Sequence, residues 1–488
     1  MNVPFTRGRE IVLALFVAIA WMAIVRPGPV SLPYFWDEAD VYVPGSKWVT
    51  EHGLNVTPGV FPDDYSRGHP PLLYLLAGFA FRLFGPAPAV GHLLVLPFAI
   101  AALVGTYWIG VTLWDRRVGV AAALLLGTTP LFMTMGNMLL PEMPLTALTV
   151  LAFLALARGR LWVATACGVA LVLIKETGVF SVAAITATVL WDAHSRGVLK
   201  KSATWKRFGI AASPVAALCG FFLWQKIHAG YFIFPHHQDL FAERPLRLNN
   251  LWTVFPSLFL WHGRLILVLV ALVTWWRARS RSHPPLSREA TPRWIPTRGA
   301  MIAGFVALVL CNATFFAKMF WLERYALPAH PGFLLGACGT LFAAADRWTP
   351  RPHVRGGPWL AVAAVVALGL VGLYSSTRPN SEEQSFAYAD VIATHRAAFR
   401  AIDRAESVLT SWPMTIELRE PYLGYVAHPV TAIHVDSIRD HPDIEIAIVI
   451  VNPHSNHAAA LRQEARRRGL LTRRVHQIGQ GPPLEVYR

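Results

Sequence analysis

The chain has 488 residues, of which 54% are hydrophobic and only 15% charged, and its mean hydropathy is +0.41. A water-soluble protein of this length carries more polar surface, so the composition excludes an ordinary soluble enzyme and points to a polytopic α-helical membrane protein. The net charge of +15 would suggest nucleic acid in a soluble chain, but here it is sorted by loop, so it reads as topology and no nucleic-acid partner is expected.

A membrane span needs roughly 20 mostly apolar residues. By that measure about eleven transmembrane helices are expected, over 10–27, 88–113, 118–136, 143–157, 161–175, 177–191, 208–228, 262–276, 300–317, 325–345 and 358–375. The first apolar run lacks a small-residue cleavage site and reads as a retained anchor. With the N-terminus in the cytoplasm, the inner segments (MNVPFTRGRE, WDRR, RGR, DAHSRGVLKKSATWKR, RARSRSHPPLSREATPRWIPTR, DRWTPRPHVR) are nearly all basic, as the positive-inside rule requires. The plasma (inner) membrane is the expected location. Cys167, Cys219, Cys311 and Cys338 all lie in apolar runs, without metal-ligand spacing or a disulfide framework.

Two segments are expected outside. The first outer loop, 28–87, is acidic on balance, and DVYVPGSKWVTEHG within it has helical apolar spacing and a Gly stop. Helices lying along the membrane are expected there. From about 376 the chain changes character: 386–407 reads as an amphipathic helix, IEIAIVIV as a buried strand, HAAALRQEARRRG as a helix ending at Gly469 and PLEVY as a last strand. The expected organisation is therefore a membrane domain over 1–375 and a small α/β extracytoplasmic domain over 376–488, with no phosphate-loop motif.

The unusual polar residues then fall on the outer side: Asp37 and Glu38 in YFWDEADVY, His69 in RGHPPLLY, Glu142 in NMLLPEMP, Lys175 in IKETG, His236 and His237 in FPHHQD, and Arg324 in KMFWLERYALPAHP. Each has a plain alternative. Asp37 and Glu38 can solvate a loop end, and His69 can sit at a proline-led helix entry. Glu142 can be a turn residue, and Lys175 can snorkel beside Glu176. His236 and His237 can be interfacial loop residues, and Glu323 with Arg324 an ion pair. Charges at so many span ends are costly in lipid, and one outward-facing polar cavity accounts for all of them. A carboxylate there can act as general base on an acceptor. Arg and Lys can bind a leaving phosphate whose lipid tail lies in the bilayer.

WDEADVY, HPPLLYLLAGFAFRLFG, LLPEMPLTALTVLAFLAL, LIKETGVF and ERYALPAHPGFLL, in this order across roughly 10–345, resemble the C-type integral membrane glycosyltransferases. The nearest families are the protein O-mannosyltransferases and the lipid A aminoarabinose transferases. The resemblance implies the C-type glycosyltransferase fold, a polyprenyl-phosphate-linked sugar donor, and a lipid, glycan or protein acceptor. It implies Asp37 as the catalytic acid–base residue with Glu38 assisting. Glu142, Lys175, Arg324, His69 and Tyr325 are then expected at the substrates, Arg324 facing the donor phosphate. Some relatives hold a divalent metal ion, for which His236 and His237, near Asp239, offer ligands. RGHPP departs from the aminoarabinose transferases, which usually read Lys before the prolines. The mechanism implied is a single inverting displacement. A transporter or flippase of a lipid-linked sugar is the alternative, although no paired halves mark the sequence. A sensor with a ligand-binding tail is a further one.

Overall fold

The computed structural model describes residues 30–243, 263–278, 294–319, 322–347, 356–377, 385–400, 406–479 and 481–488, together with residues 19, 252, 255, 256, 259–261 and 402. The expected first span, 10–27, lies outside the described residues apart from Ile19.

Prolines punctuate the helices. In the first outer loop α1 (Val43–Glu51) follows a single π-helical turn, and α2 (Asp63–Ser66) and α3 (Leu72–Phe84) follow in turn. The long α4 (Pro88–Leu113) begins on a proline, whose missing N–H costs nothing at a first turn. The span expected over 118–136 is broken into α5 (Arg116–Gly127) and α6 (Pro130–Met135). Pro130 holds Thr129 in an extended conformation, so the helix cannot run through. The hydroxyls of Thr128 and Thr129 donate to the carbonyls of Leu124 and Leu125, both at 2.9 Å, which satisfies backbone that the break would leave bare in an apolar setting. α4 and α5 pack with backbones in contact: a Cβ at Gly110 would lie 2.4 Å from the Cα of Gly119.

Next come α7 (Glu142–Ala157), α8 (Leu161–Ile174) and α9 (Val179–Ser195). After them α10 (Ser202–Ala212) and α11 (Pro214–Ala229) continue one another across Pro214, and a short α12 (Pro235–Glu243) follows. The later helices are α13 (Arg264–Ala278), α14 (Arg298–Lys318), α15 (His330–Arg347) and α16 (Gly356–Ser376). Pro328 sits in a 3-10 turn, Glu323–Ala329, that leads into α15, so the expected span over 325–345 starts as a tighter helix. Four described stretches are long and apolar enough to cross a membrane by length and composition: Pro88–Leu113, Ser202–Ala229, Arg298–Lys318 and Glu323–Asp346. Leu72–Phe84, Glu142–Ala157, Leu161–Ile174 and Ala361–Ser376 are apolar but shorter. Together these are eight apolar stretches among the described residues, against about eleven spans expected from the sequence.

The tail forms α17 (Ala387–Phe399), β1 (Ser407–Thr410), α18 (Met414–Arg419), β2 (Thr431–His434), β3 (Ile448–Val451), α19 (Ala458–Arg467), β4 (Arg473–His476) and β5 (Leu484–Tyr487). The sheet order is β2-β1-β3-β5-β4, with β2, β1 and β3 parallel and β5 antiparallel to both its neighbours. The helix expected over 386–407 ends at Phe399, and Ser407 already belongs to β1. The strand expected over IEIAIVIV is confined to its last four residues.

The tail packs on the first outer loop. The amide of Tyr34 donates to the carbonyl of Leu423 at 3.0 Å, the rings of Phe35 and Tyr388 lie 5.7 Å apart, and Trp412 meets Trp36 edge-on at 5.0 Å. One apolar core runs from the membrane helices through these residues into the sheet.

Glu485 on β5 accepts from Arg462 at 2.9 Å, from Arg473 at 2.6 Å and from the Tyr487 hydroxyl at 2.8 Å. The Arg462 hydrogen bond above all holds its carboxyl down to about 2, against burial. A depressed carboxyl stabilises the fold above its unfolded value and ceases to as pH falls towards the folded one. Protection of the β5 amides in the full-length protein, measured by hydrogen exchange and corrected for intrinsic rate, is expected to fall between about pH 4.5 and about pH 2. Glu485→Gln should lower protection at neutral pH and flatten that dependence. An unchanged profile would remove Glu485 as the acid-sensitive group.

Candidate active site

The segment opening the site is YFWDEADVY. Trp36 has φ +55°, a left-handed conformation that costs a bulky residue energy and persists only where the surroundings impose it. The turn it makes passes into the π-helical turn Glu38–Tyr42, with Asp37 as the residue before it. Packing of Tyr34, Phe35 and Trp36 against the tail fixes the approach. Local strain and a π turn together at one place are a common mark of functional backbone.

Asp37 forms an ion pair with the guanidinium of Arg324, from the 3-10 turn before α15. Glu142, the first residue of α7, lies on the other side of that guanidinium, with Oε1 3.8 Å from Arg324 Nε. The same oxygen is 3.2 Å from Nζ of Lys175, which caps the C-terminal end of α8. Tyr325 closes the group: Lys175 lies 4.7 Å and Arg324 5.5 Å from its ring centre. Both helix-end charges have the favourable sign, a carboxylate at an N-terminus and an ammonium at a C-terminus. The four side chains carry two negative and two positive charges, and Glu142, Lys175 and Arg324 are buried. Charges this deep persist only when paired. Burial works to raise the Asp37 carboxyl, but Arg324 outweighs it and holds the group below the usual carboxylate range. Oε2 of Glu142 is buried without a hydrogen-bond partner.

A narrow pocket opens beside Glu142 and Tyr325. Leu145, Phe180, Leu308 and Phe316 give it an apolar wall, and Ser181 and Asn312 add polar groups deeper in. The polar residues inside α9 and α14 were not singled out in the sequence, although an asparagine in the apolar run ALVLCNATFF is a visible signal.

Glu38, next to Asp37 in sequence, meets a separate set of partners. Its Oε2 accepts from the amide of Phe35 at 3.1 Å, and its Oε1 accepts from the amide of Leu139 at 2.5 Å and lies 3.3 Å from Nε2 of His92. Both oxygens are thus engaged in fastening the first loop to the segment before α7 and to α4. Held in this way, Glu38 braces the turn that carries Asp37. Asp40, one helical turn on, pairs with Arg67.

His69 lies in an adjoining group. Its Nδ1 is 3.0 Å from Oε2 of Glu176, its ring stacks on Tyr42 at 6.4 Å, and His237 is 5.5 Å away ring to ring. Burial first and then His69 push His237 down to about 4, so its ring is neutral at pH 7. His236 and His237 are the pair for which a metal ion is expected. Both lie on α12, where successive residues do not face one another, and their ring centres are 6.2 Å apart. Among the described residues, three potential ligands with all donor atoms within 4.8 Å of one another occur at His434, Asp436 and His457, and not around 236–239.

A family model for dolichyl-phosphate-mannose-protein mannosyltransferase matches residues 68–235. That span holds His69, Glu142 and Lys175 and leaves Asp37 and Arg324 outside it. No curated protein matches the chain. Among solved structures the chain is similar to ArnT from Cupriavidus metallidurans bound to undecaprenyl phosphate, at 14% identity and a TM-score of 0.58, over 99% of this chain and 98% of that one. The apo state of the same protein matches over the same shares at 14% identity and a TM-score of 0.56. The Archaeoglobus fulgidus oligosaccharyltransferase in complex with Zn and sulfate matches at 12% identity and a TM-score of 0.51, over 92% of this chain and 69% of that one. The fold is accordingly the one that these solved structures share.

Proposed function

We propose that this chain is a glycosyltransferase that moves a sugar from a polyprenyl-phosphate donor to an acceptor hydroxyl or amine at the outer face of the inner membrane, with its N-terminus in the cytoplasm. The observation that carries the reading is the convergence of Asp37, Glu142, Lys175 and Arg324, from four segments distant in sequence, on one buried and charge-balanced group beside a cavity. The matching family model and the fold likeness to ArnT, which binds undecaprenyl phosphate, support a lipid-linked donor.

The ion pair suggests how the site is armed. An anionic donor phosphate competes with Asp37 for the fork of Arg324, and charge-assisted bonds to phosphate are strong enough to draw the guanidinium over. Once that contact loosens, the Asp37 carboxylate loses what depresses its pKa and becomes a better base. The acceptor oxygen or nitrogen then attacks the anomeric carbon and its proton passes to Asp37. The bond from that carbon to the phosphate oxygen breaks, and the phosphate leaves with the electron pair towards Arg324 and Lys175. One displacement inverts the anomeric configuration. Oε2 of Glu142, buried without a hydrogen-bond partner, is placed to accept from a sugar hydroxyl.

The test uses the full-length protein in lipid nanodiscs, a radiolabelled polyprenyl-phosphate sugar, and envelope lipid, glycan and protein fractions as acceptors. Transfer of label with release of polyprenyl phosphate is the expected result. Movement of the donor across sealed proteoliposomes, with no transfer to any fraction, would replace the enzyme by a flippase.

A further inference from the structure

The three parallel strands of the tail end on one edge, because β2, β1 and β3 run the same way. Loops at the carboxyl ends of parallel strands are where α/β sheets place ligands. His434 is the last residue of β2, Asp436 follows it in a 3-10 turn (Val435–Asp440), and His457 caps the N-terminus of α19 after β3. The chain reaches across the end of β1 to bring His457 back to the β2 side.

The spacing of donor atoms there is specific. Oδ2 of Asp436 is 3.5 Å from Nδ1 of His434, and Oδ1 of Asp436 is 3.4 Å from Nδ1 of His457. The rings of His434 and His457 stand edge-on at 5.2 Å, and one donor atom from each of the three residues falls within 4.8 Å of the other two. An ion bound tetrahedrally at about 2.0–2.1 Å sets its ligands roughly 3.3 Å apart. Each imidazole thus has a different oxygen of the Asp436 carboxylate at about that edge length. Two imidazoles and one carboxylate are a donor set of borderline softness, suited to zinc. None of the three is fully buried, so a fourth position is open to water.

From this geometry we infer that His434, Asp436 and His457 form a zinc site in the extracytoplasmic tail. It does not rest on the sugar-transfer reading. The loop after β3 is already shaped for it: Asn452 Oδ1 accepts from the amide of His454 at 3.0 Å, and Ser455 Oγ accepts from the amide of His457 at 3.0 Å. Nδ1 of His434 accepts from the Asp436 amide at 3.2 Å, and the ion takes over that lone pair. The bound ion ties the end of β2 to the loop after β3. Ser455 of that loop is 3.3 Å from Ser411, whose neighbour Trp412 leans on Trp36. Zinc thus stiffens the edge of the tail that supports the turn before Asp37.

The experiment measures zinc retained by the purified full-length protein in nanodiscs, after loading with Zn²⁺ alone and gel filtration, by elemental mass spectrometry. One ion per chain is expected in the wild type. The doubly substituted His434→Gln, His457→Gln protein should lose it, with affinity at least about 100-fold weaker, and Asp436→Asn should weaken it about 10-fold or more (on the scale of damage to metal sites). The His236→Gln, His237→Gln protein should retain it. Zinc absent from the wild type, or kept by the 434/457 variant, would overturn the assignment. A variant that elutes as an aggregate is replaced by His457→Asn, read the same way.

Discussion

Replacing Asp37 with asparagine is expected to lower sugar transfer by about 10²–10⁴-fold, the range set by loss of a positioned general base. The substitution keeps shape and removes only the charge and the capacity to take a proton. Arg324 keeps Glu142 as a carboxylate neighbour, so the protein should reach the membrane and melt close to the wild type. Donor binding should be retained or tightened, because the guanidinium no longer has to leave Asp37 to meet the phosphate. Turnover at the wild-type rate, with binding unchanged, would mean that some other group takes the proton. The same ion pair sets the acid limb in wild type. A base depressed by Arg324 stays ionised below the usual carboxylate range. The kcat/KM for the free enzyme should therefore hold as pH falls through the usual carboxylate range and decline only below it. With donor bound and the guanidinium turned to phosphate, kcat should start to decline at higher pH than kcat/KM does. Coincident limbs would argue against exchange of Arg324 between carboxylate and phosphate.

Arg324→Ala is expected to have the second large effect, and a mixed one. Loss of a guanidinium that meets developing charge costs about 10²–10³-fold in rate. It should appear in kcat/KM for the polyprenyl-phosphate donor far more than in the acceptor dependence. Removal of one partner from a buried ion pair also costs about 3–5 kcal/mol of stability, because Glu142 would be left with Lys175 alone and Asp37 without its ion-pair partner. Arg324→Lys separates the two consequences. It restores the charge and much of the stability, but a point charge cannot reproduce the fork, so donor kcat/KM should remain low. Thermal unfolding and donor titrations on the three proteins decide between them. Equal losses for donor and acceptor in Arg324→Lys would make Arg324 a structural residue.

How much of this was legible beforehand differs from residue to residue. Asp37, Glu142, Lys175 and Arg324 could be named from the sequence because a charge at the end of an apolar run is expensive and needs a reason. The fate of Glu38 was not legible. It differs from Asp37 by one position and one methylene, and only the fold shows that its oxygens are engaged by Phe35, Leu139 and His92. His236 and His237 are adjacent in sequence but do not face one another on α12. His434, Asp436 and His457 show no such spacing in the sequence, since His457 follows β3 while the other two sit at the end of β2. In the tail, α19 and β5 carried clear patterns. β4, mostly exposed and written RRVH, carried no alternation of apolar and polar residues to read.

Composition and hydropathy by themselves established a multi-pass membrane protein with a compositionally distinct tail, because the bilayer imposes length and polarity on each segment independently of all others. They also marked the charged span ends. Which of those ends meet was decided only by packing: α7, α8, the turn before α15 and the strained turn at Trp36 bring four charges into one balanced group. Contacts between segments hundreds of residues apart depend on the relative placement of whole helices, which no local pattern encodes.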